Sequence, residues 1–179
     1  MPDAGTEPPT GRQWFACYTR SRHEKRVAAR LDERGIEHYL PLLRRKRQWK
    51  DRQRIVTIPL FPSYVFGRFA LTQLHAVLRV PGLSTVVRSN GVPVPIKPAD
   101  LENVRRFVAA LNPEDPVPQR EAWVKEGRRV RISGGPFDGV RGIIVQLRGK
   151  RRVLVGLEVI GVGMAIDIES ALLVPDPSE

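Results

Sequence analysis

Few residues of this chain are arranged for covalent chemistry. The three histidines, His23, His38 and His75, are scattered, and Cys17 is the only cysteine. One cysteine allows neither an intrachain disulfide nor a cysteine-based zinc site. No H-E-x-x-H, Walker A or G-x-S-x-G pattern occurs. The stretch GGPFDGVRG (134–142) is glycine-rich but lacks the Gly-Lys-Ser/Thr ending of a phosphate loop. The acidic residues show no pairing suited to acid–base work, and Cys17, inside an apolar stretch, reads as inert packing. The sequence therefore predicts a protein that is not an enzyme, with no cofactor and no metal. Its suggestive residues suit binding instead. RRKRQWKDRQR (44–54) is among the most basic runs in the chain. Trp49 within it can stack on an unpaired base or pack on its own hairpin. Directly after comes IPLFPSYVF (58–66), an aromatic cluster broken by Pro59 and Pro62. Core strands rarely carry two prolines, because each removes a ladder hydrogen bond. This segment is either an edge strand shaped for packing or a surface presented to a partner.

The bulk charge points the same way. The chain has 179 residues and a formal net charge of +11, with a pI near 10.8. That balance suits a polyanionic partner, most often nucleic acid. Residues 1–112 hold 20 Lys and Arg against 9 Asp and Glu, whereas residues 113–179 hold 10 of each. A solubility surface has no reason to stop at one point in the chain, so the asymmetry favours a binding face. No apolar run approaches the roughly 18 residues of a membrane span. The start, MPDAGTEPPTGRQ, lacks the pattern of a signal peptide. With a single cysteine, the expected setting is the reducing cytoplasm.

These residues must be positioned by two sets of elements. NPEDPVPQREA (112–122) has three prolines and no apolar periodicity, and reads as a linker. It separates a tail (1–11) and a first domain (12–111) from a second domain (123–175) and a short tail (176–179). WFACYT (14–19) predicts a buried strand. Ser21, three residues before Glu24, has the spacing of a capping box. A helix follows with Val27, Ala28 and Leu31 on one face, and Gly35 stops it. Two arms of a long basic hairpin come next, then the strand PSYVFGRF. A short helix carries Leu71, Leu74 and Leu78, and the next strand turns at Asn90-Gly91. Pro98 opens a last helix with Leu101, Val104, Val108 and Leu111 in register. The order β-α-β-β-α-β-α predicts an α+β sandwich, with helices on an antiparallel sheet. The second domain has five short strands with glycine-rich turns, which predicts a small SH3-like β-barrel.

At this point the residues resemble the NusG family of transcription elongation factors. WFACYTRSRHEKRVAARL is similar to the family's opening strand and helix. YLPLLRRKRQWKDR and VTIPLFPSYVF are similar to its basic hairpin and Phe-Pro-x-Tyr strand. VPGLSTVVRSNGVPVPI is similar to the strand before its last helix. VRISGGPFDGVRGIIVQL resembles its KOW motif, with Gly142 as candidate for the fixed glycine. The resemblance covers about residues 12–175 and implies an N-terminal NGN-type domain followed by a KOW domain. It further implies docking on the clamp helices of RNA polymerase through Trp14, Tyr18, Phe61, Pro62, Tyr64 and Phe66. Strand alternation would not let Phe61 and Tyr64 face one side unless the chain bends at Pro62. Arg20, Arg22, Lys25 and Arg26 at the first helix, and Arg44, Arg45, Lys46 and Arg47 in the hairpin, would then lie along the upstream or non-template DNA of the transcription bubble. Such phosphate contacts give affinity without sequence specificity.

The resemblance implies that the KOW domain of a monomeric chain recruits another protein, ribosomal protein S10 or Rho, through Phe137 and Ile160. Its wording is closer to the specialised antiterminators, the RfaH-like and polysaccharide-locus regulators, than to the housekeeping factor of Rho-dependent termination and transcription–translation coupling. Where RfaH touches the polymerase gate loop with a His-Thr-Thr run, this chain has His75-Ala76-Val77, so only His75 matches. RfaH's KOW domain can refold as a helical hairpin, but β-branched alternation and glycines here predict strands. A ribosomal-type RNA-binding KOW protein is the alternative of another class. It leaves the Phe-Pro-x-Tyr strand unexplained and puts the charge in the wrong domain.

Overall fold

The computed structural model describes residues 11–124, 127–147 and 150–176. The expected tails therefore lie outside the described residues, apart from Gly11 and Asp176. Among the described residues the strands and α-helices begin with β1 (Gln13–Thr19), α1 (Glu24–Asp32), β2 (Glu37–Tyr39), β3 (Leu42–Trp49), β4 (Arg52–Pro59) and β5 (Tyr64–Phe69). Next come α2 (Leu74–Leu78), β6 (Leu83–Val86), β7 (Arg88–Ser89), β8 (Val92–Pro93), β9 (Pro95–Ile96) and α3 (Pro98–Ala110). The last are β10 (Gln119–Ala122), β11 (Arg128–Ile132), β12 (Arg141–Leu147), β13 (Lys150–Leu157), β14 (Val162–Ile166) and β15 (Leu173–Pro175). They fall into two compact units. One contains the described residues up to Leu40 together with Pro62–Ile96. The other contains Pro41–Phe61 and the described residues from Lys97 onward.

In the first unit, antiparallel strands lie in the order β2-β5-β1-β6, with β9 also paired to β1. Alternation along β1 sends Phe15 and Cys17 to one face, and Val65 and Phe69 of β5 join them there. These side chains form a core with Val27, Ala28 and Leu31 of α1, Val77 of α2, and Val86 of β6. Leu71, Leu74 and Leu78 pack partly buried against this cluster, as their spacing predicted. The capping box did not form. The residue preceding α1 is His23, and no side chain caps the helix. His23 Nδ1 instead donates to the Ser21 carbonyl at 2.9 Å, and the Glu24 carboxylate points to another loop.

The second unit contains the β3–β4 ribbon, α3 and an antiparallel sheet in the order β10-β14-β13-β12-β11-β15. The strands expected from VRGIIVQL and RRVLVGLEV are present as β12 and β13. Gln119–Ala122, within the segment read as a connector, adds a further strand by pairing with Val162–Ala165. Glycines let these strands approach closely. A Cβ at Gly142 would lie 2.5 Å from Val153 Cγ1 and 2.7 Å from the Leu154 carbonyl oxygen. At Gly156 it would lie 2.4 Å from Gly163 Cα, and those two residues face each other in register.

Pro98 stands in the first turn of α3, where its missing N–H costs nothing. The buried face of α3 is Leu101, Val104 and Phe107. The sequence spacing had instead favoured Val108 and Leu111. In this unit the Asn103 amide pairs with the β12 backbone twice: Nδ2 donates to the Arg141 carbonyl at 2.9 Å, and Oδ1 accepts the Arg141 N–H at 2.8 Å.

Candidate functional site

Directly opposed residues of β1 and β5 share a face of the sheet. On the side away from α1 and α2 these pairs are Trp14 with Arg68, Ala16 with Phe66, and Tyr18 with Tyr64. Tyr39 of β2 extends the row opposite Phe66, with ring centroids 6.4 Å apart. The aromatics expected from the sequence separate into two groups. Trp14, Phe61 and Phe66 are buried, the last two at 1% and 0% exposure. Tyr18 is 42% exposed, Tyr64 is half-buried and Pro62 is exposed. The two tyrosine rings meet edge to face at 5.3 Å and 66°, a geometry aromatic quadrupoles favour. His75 is exposed but belongs to α2, on the helix-covered side of the sheet, and does not join the tyrosines.

The bend that frees Tyr64 from strand alternation lies at Pro62-Ser63. Ser63 has a left-handed φ of 68°, and proline followed by such a residue is the pattern of a type II turn. The turn is held at both ends of its third residue. The Ser63 N–H donates to Glu24 Oε1 at 2.7 Å, and the Ser63 carbonyl accepts the Thr19 N–H at 2.8 Å. Glu24 is 5% exposed, so α1 aims a buried carboxylate at the loop that presents Pro62 and Tyr64. The sequence contained a signal for this role: Glu24 shares its helical face with Val27, Ala28 and Leu31.

The cations also sort themselves. Arg20, Arg22, Lys25 and Arg26 are all exposed around the start of α1. Arg22 has a left-handed φ of 61°, in a turn bounded by the Arg20 N–H bond to the Gly82 carbonyl and the His23 N–H bond to the Arg20 carbonyl. In the hairpin, β3 alternates Arg44 and Lys46 on one face with Arg45 and Arg47 on the other. Lys46 is engaged: its ammonium pairs with Glu114, and its backbone N–H bonds to the Pro113 carbonyl at 3.3 Å. The hydrogen bond from Lys46 holds the Glu114 carboxyl below its ordinary range. The opposite face gains two residues not singled out from the sequence. Arg54 lies opposite Arg47, and Arg52 opposite Trp49. Trp49 is 57% exposed, and the Arg54 guanidinium carbon lies 6.0 Å from its ring centroid.

In the second unit, Phe137 is half-buried and stacks on Phe107 of α3, with centroids 5.7 Å apart and planes 30° apart. Its loop is shaped by Asp138, whose Oδ1 accepts the Gly134 N–H at 2.6 Å. Ile160, 9% exposed, points inward and not to the surface of its turn. Cys17 is fully buried, and burial pushes its thiol up to about 12, a shift opposed by a hydrogen bond from the Gly67 backbone. It is protonated at neutral pH, and protonated thiols are poor nucleophiles. Among the described residues, no group of three His, Cys, Asp or Glu side chains is placed to hold a metal ion. Among them, too, no helix is long and apolar enough to cross a membrane.

The family model described as "Transcription termination factor nusG" matches residues 12–105. The chain is 26% identical over 163 residues to the transcription termination/antitermination protein NusG of Thermus thermophilus, covering 80% of this chain and 88% of the relative. It is 23% identical over 176 residues to the NusG of Borreliella burgdorferi, covering 88% and 95% respectively. Among solved structures, a Thermotoga maritima NusG described by its domain interaction matches with a TM-score of 0.50 and 22% identity, over 90% of this chain and 96% of that one.

Proposed function

The chain belongs to the NusG family, and from that premise we propose that it is a non-enzymatic cytoplasmic factor that docks on the clamp helices of RNA polymerase and modulates elongation. Its coarse activity is that of a transcription termination/antitermination factor. Its fold is α+β, an NGN-type sandwich with an antiparallel sheet followed by a small KOW β-barrel. We assign docking to the NGN-type domain, residues 12–111, and partner recruitment to the KOW domain, residues 123–175, with residues 112–122 connecting them.

One observation carries the docking assignment. Exposed Tyr18 and half-buried Tyr64 form a cross-strand pair on the sheet face opposite the helices, beside an exposed Pro62 on an anchored turn. Rigid aromatics bury large area at small rotamer cost, and a pre-set backbone lowers the ordering cost of binding. Tyr18, Pro62 and Tyr64 make the contact in this reading. Trp14 and Phe66, being buried, act as packing within the same sheet, and Phe61, also buried, is not part of the contact. Arg20, Arg22, Lys25 and Arg26 run along the upstream DNA. Phe137 is the anchor for a KOW partner, ribosomal protein S10 or Rho. The hairpin wording supports a specialised antiterminator over the housekeeping factor.

The test is binding of the full chain to reconstituted elongation complexes, wild type against Tyr64→Ala. Truncating a central aromatic anchor costs about 2 kcal/mol or more, roughly a thirtyfold loss of affinity. Equal affinity of the two proteins would refute the docking face.

A further inference from the structure

We propose that the mouth of the KOW β-barrel between Arg128, Arg151 and Arg152 is a docking site for an acidic peptide segment of a protein partner, which seats one apolar side chain there. The site goes beyond the function proposed above and rests neither on polymerase docking nor on Phe137. It lies where β11 and β13 begin. Arg128 of β11 faces Ile144 of β12, and Ile144 faces Val153 of β13. Phe137 and Ile160 follow the far ends of those two strands, so they belong to the opposite end of the barrel. The pocket at this mouth measures about 170 Å³. Its apolar lining is Val130 and Val153, both buried, with half-buried Ile144 and Leu173.

Charge selects the partner. Arg128 and Arg151 are exposed, and among the described residues neither forms an ion pair. Arg152 is held in place: its Nε lies 2.8 Å from Asp167 Oδ1, and its Nη1 donates to the Gln119 side-chain carbonyl. Among the described residues no carboxylate lines the pocket itself. Three guanidiniums thus make a positive mouth within a segment, 113–179, that is neutral overall. A positive patch of this kind is complementary to an acidic partner and steers it to the site. Size selects what enters. Small-molecule sites run from about 300 Å³ upward, so this pocket is too small for a cofactor-sized ligand. It suits a single anchoring side chain, the usual unit of a protein contact. A nucleobase would need an aromatic platform, and among the described residues no aromatic ring lines the pocket. Docking here leaves the Phe137 end of the barrel free for a second partner.

The full chain is titrated, with amide NMR as the readout, against a blocked peptide carrying one leucine between two runs of glutamate. A matched peptide with alanine in place of the leucine, another with runs of lysine, and oligouridylate are the comparisons. The glutamate–leucine peptide should shift the amides of Ile144, Val153 and Leu173 in a saturable way. The alanine peptide should bind there about tenfold more weakly, the loss expected when a leucine side chain is no longer buried. The double variant Arg128→Glu, Arg151→Glu should weaken the glutamate–leucine peptide by about tenfold or more at low salt. Both arginines are exposed, so the variant should keep its fold, read from unchanged amide shifts in the absence of peptide. No saturable shift at these amides, equal affinity of the leucine and alanine peptides, or an unaffected double variant would each overturn the proposal. Saturation by the lysine peptide, or shifts confined to the surroundings of Phe137 and Ile160, would do the same. Tighter binding of oligouridylate at this mouth would also overturn it, by assigning the site to nucleic acid. None of these results bears on the loss of elongation-complex binding in Tyr64→Ala, so failure here is distinct from failure of the docking face.

Discussion

Glu24 lies on the apolar face of α1 and is buried with Val27, Ala28 and Leu31. A buried carboxylate needs hydrogen bonds, and this one receives the N–H of Ser63, the residue whose left-handed backbone turns the chain between Pro62 and Tyr64. The bond ties the first helix to the loop that presents Tyr64. A charge-assisted bond of this kind contributes about 1.5–3 kcal/mol. Glu24→Ala is therefore expected to lower the melting temperature by several degrees, since about 1 kcal/mol shifts a chain of this size by roughly 2–4 °C. Glu24→Gln, which keeps an acceptor oxygen at the same place, should recover much of that loss. In elongation-complex binding the alanine variant should be weaker than the glutamine variant, because only the first releases the turn. Equal stability and equal binding of the two would show that the bond to Ser63 holds nothing. The sequence placed a carboxylate at this position, but read it by local spacing as a cap for its own helix. Its true partner lies 39 residues away, where no local pattern reaches.

At the level of elements, periodicity and punctuation were reliable guides wherever structure is local. The opening strand, both long hairpin arms, the proline-started α3 and the Asn90-Gly91 turn all follow from alternation, helical repeat and turn chemistry. The helix faces were harder. The spacing of apolar residues in α3 fits Val108 and Leu111 as well as Phe107, and packing selected Phe107, which meets Phe137. Nor could the exposure of an aromatic be read from its type, since Phe61 and Tyr64 lie in one short motif and only the tyrosine reaches the surface. The glycine singled out in the KOW-like motif has a concrete physical demand. Gly142 stands where a methyl group would press on Val153 and on the Leu154 carbonyl of the neighbouring strand. Because the second obstacle is backbone, a rotamer change cannot relieve it. Gly142→Ala should destabilise the β12–β13 pairing by about 1–3 kcal/mol, the usual cost of overpacking a close-packed interior. Hydrogen exchange would detect this as lost protection of the β12 and β13 amides, with β1 and β5 unchanged. Uniform protection in the variant would mean that the strands can separate without cost.

Across the whole molecule the decisive quantity is where charge accumulates. The chain's excess of +11 is carried within residues 1–112, and the remainder is balanced. That much was legible from counting. What counting did not reveal was which cations are already satisfied: Lys46 is bound to Glu114, whereas Arg52 and Arg54, outside the first selection, stand on the same ribbon face as Arg45 and Arg47. A second group, Arg20, Arg22, Lys25 and Arg26, is exposed around α1, and the function proposed here lays it along duplex DNA. Each phosphate contact on B-form DNA releases counterions and contributes about 0.9 to the slope of log K against log salt. The double variant Arg20→Glu, Arg22→Glu should therefore bind elongation complexes with a slope smaller by about 1.8. Its defect should be largest at low salt and shrink as salt rises. Arg120→Glu, an exposed reversal in the C-terminal sheet, changes the net charge of the chain by the same kind of step without touching the assigned face. If the arginines act by direct phosphate contact, Arg120→Glu leaves the slope unchanged. If it lowers the slope as much per charge as Arg20→Glu, Arg22→Glu does, binding follows the overall field of the protein and no particular face, and the assignment of these arginines falls.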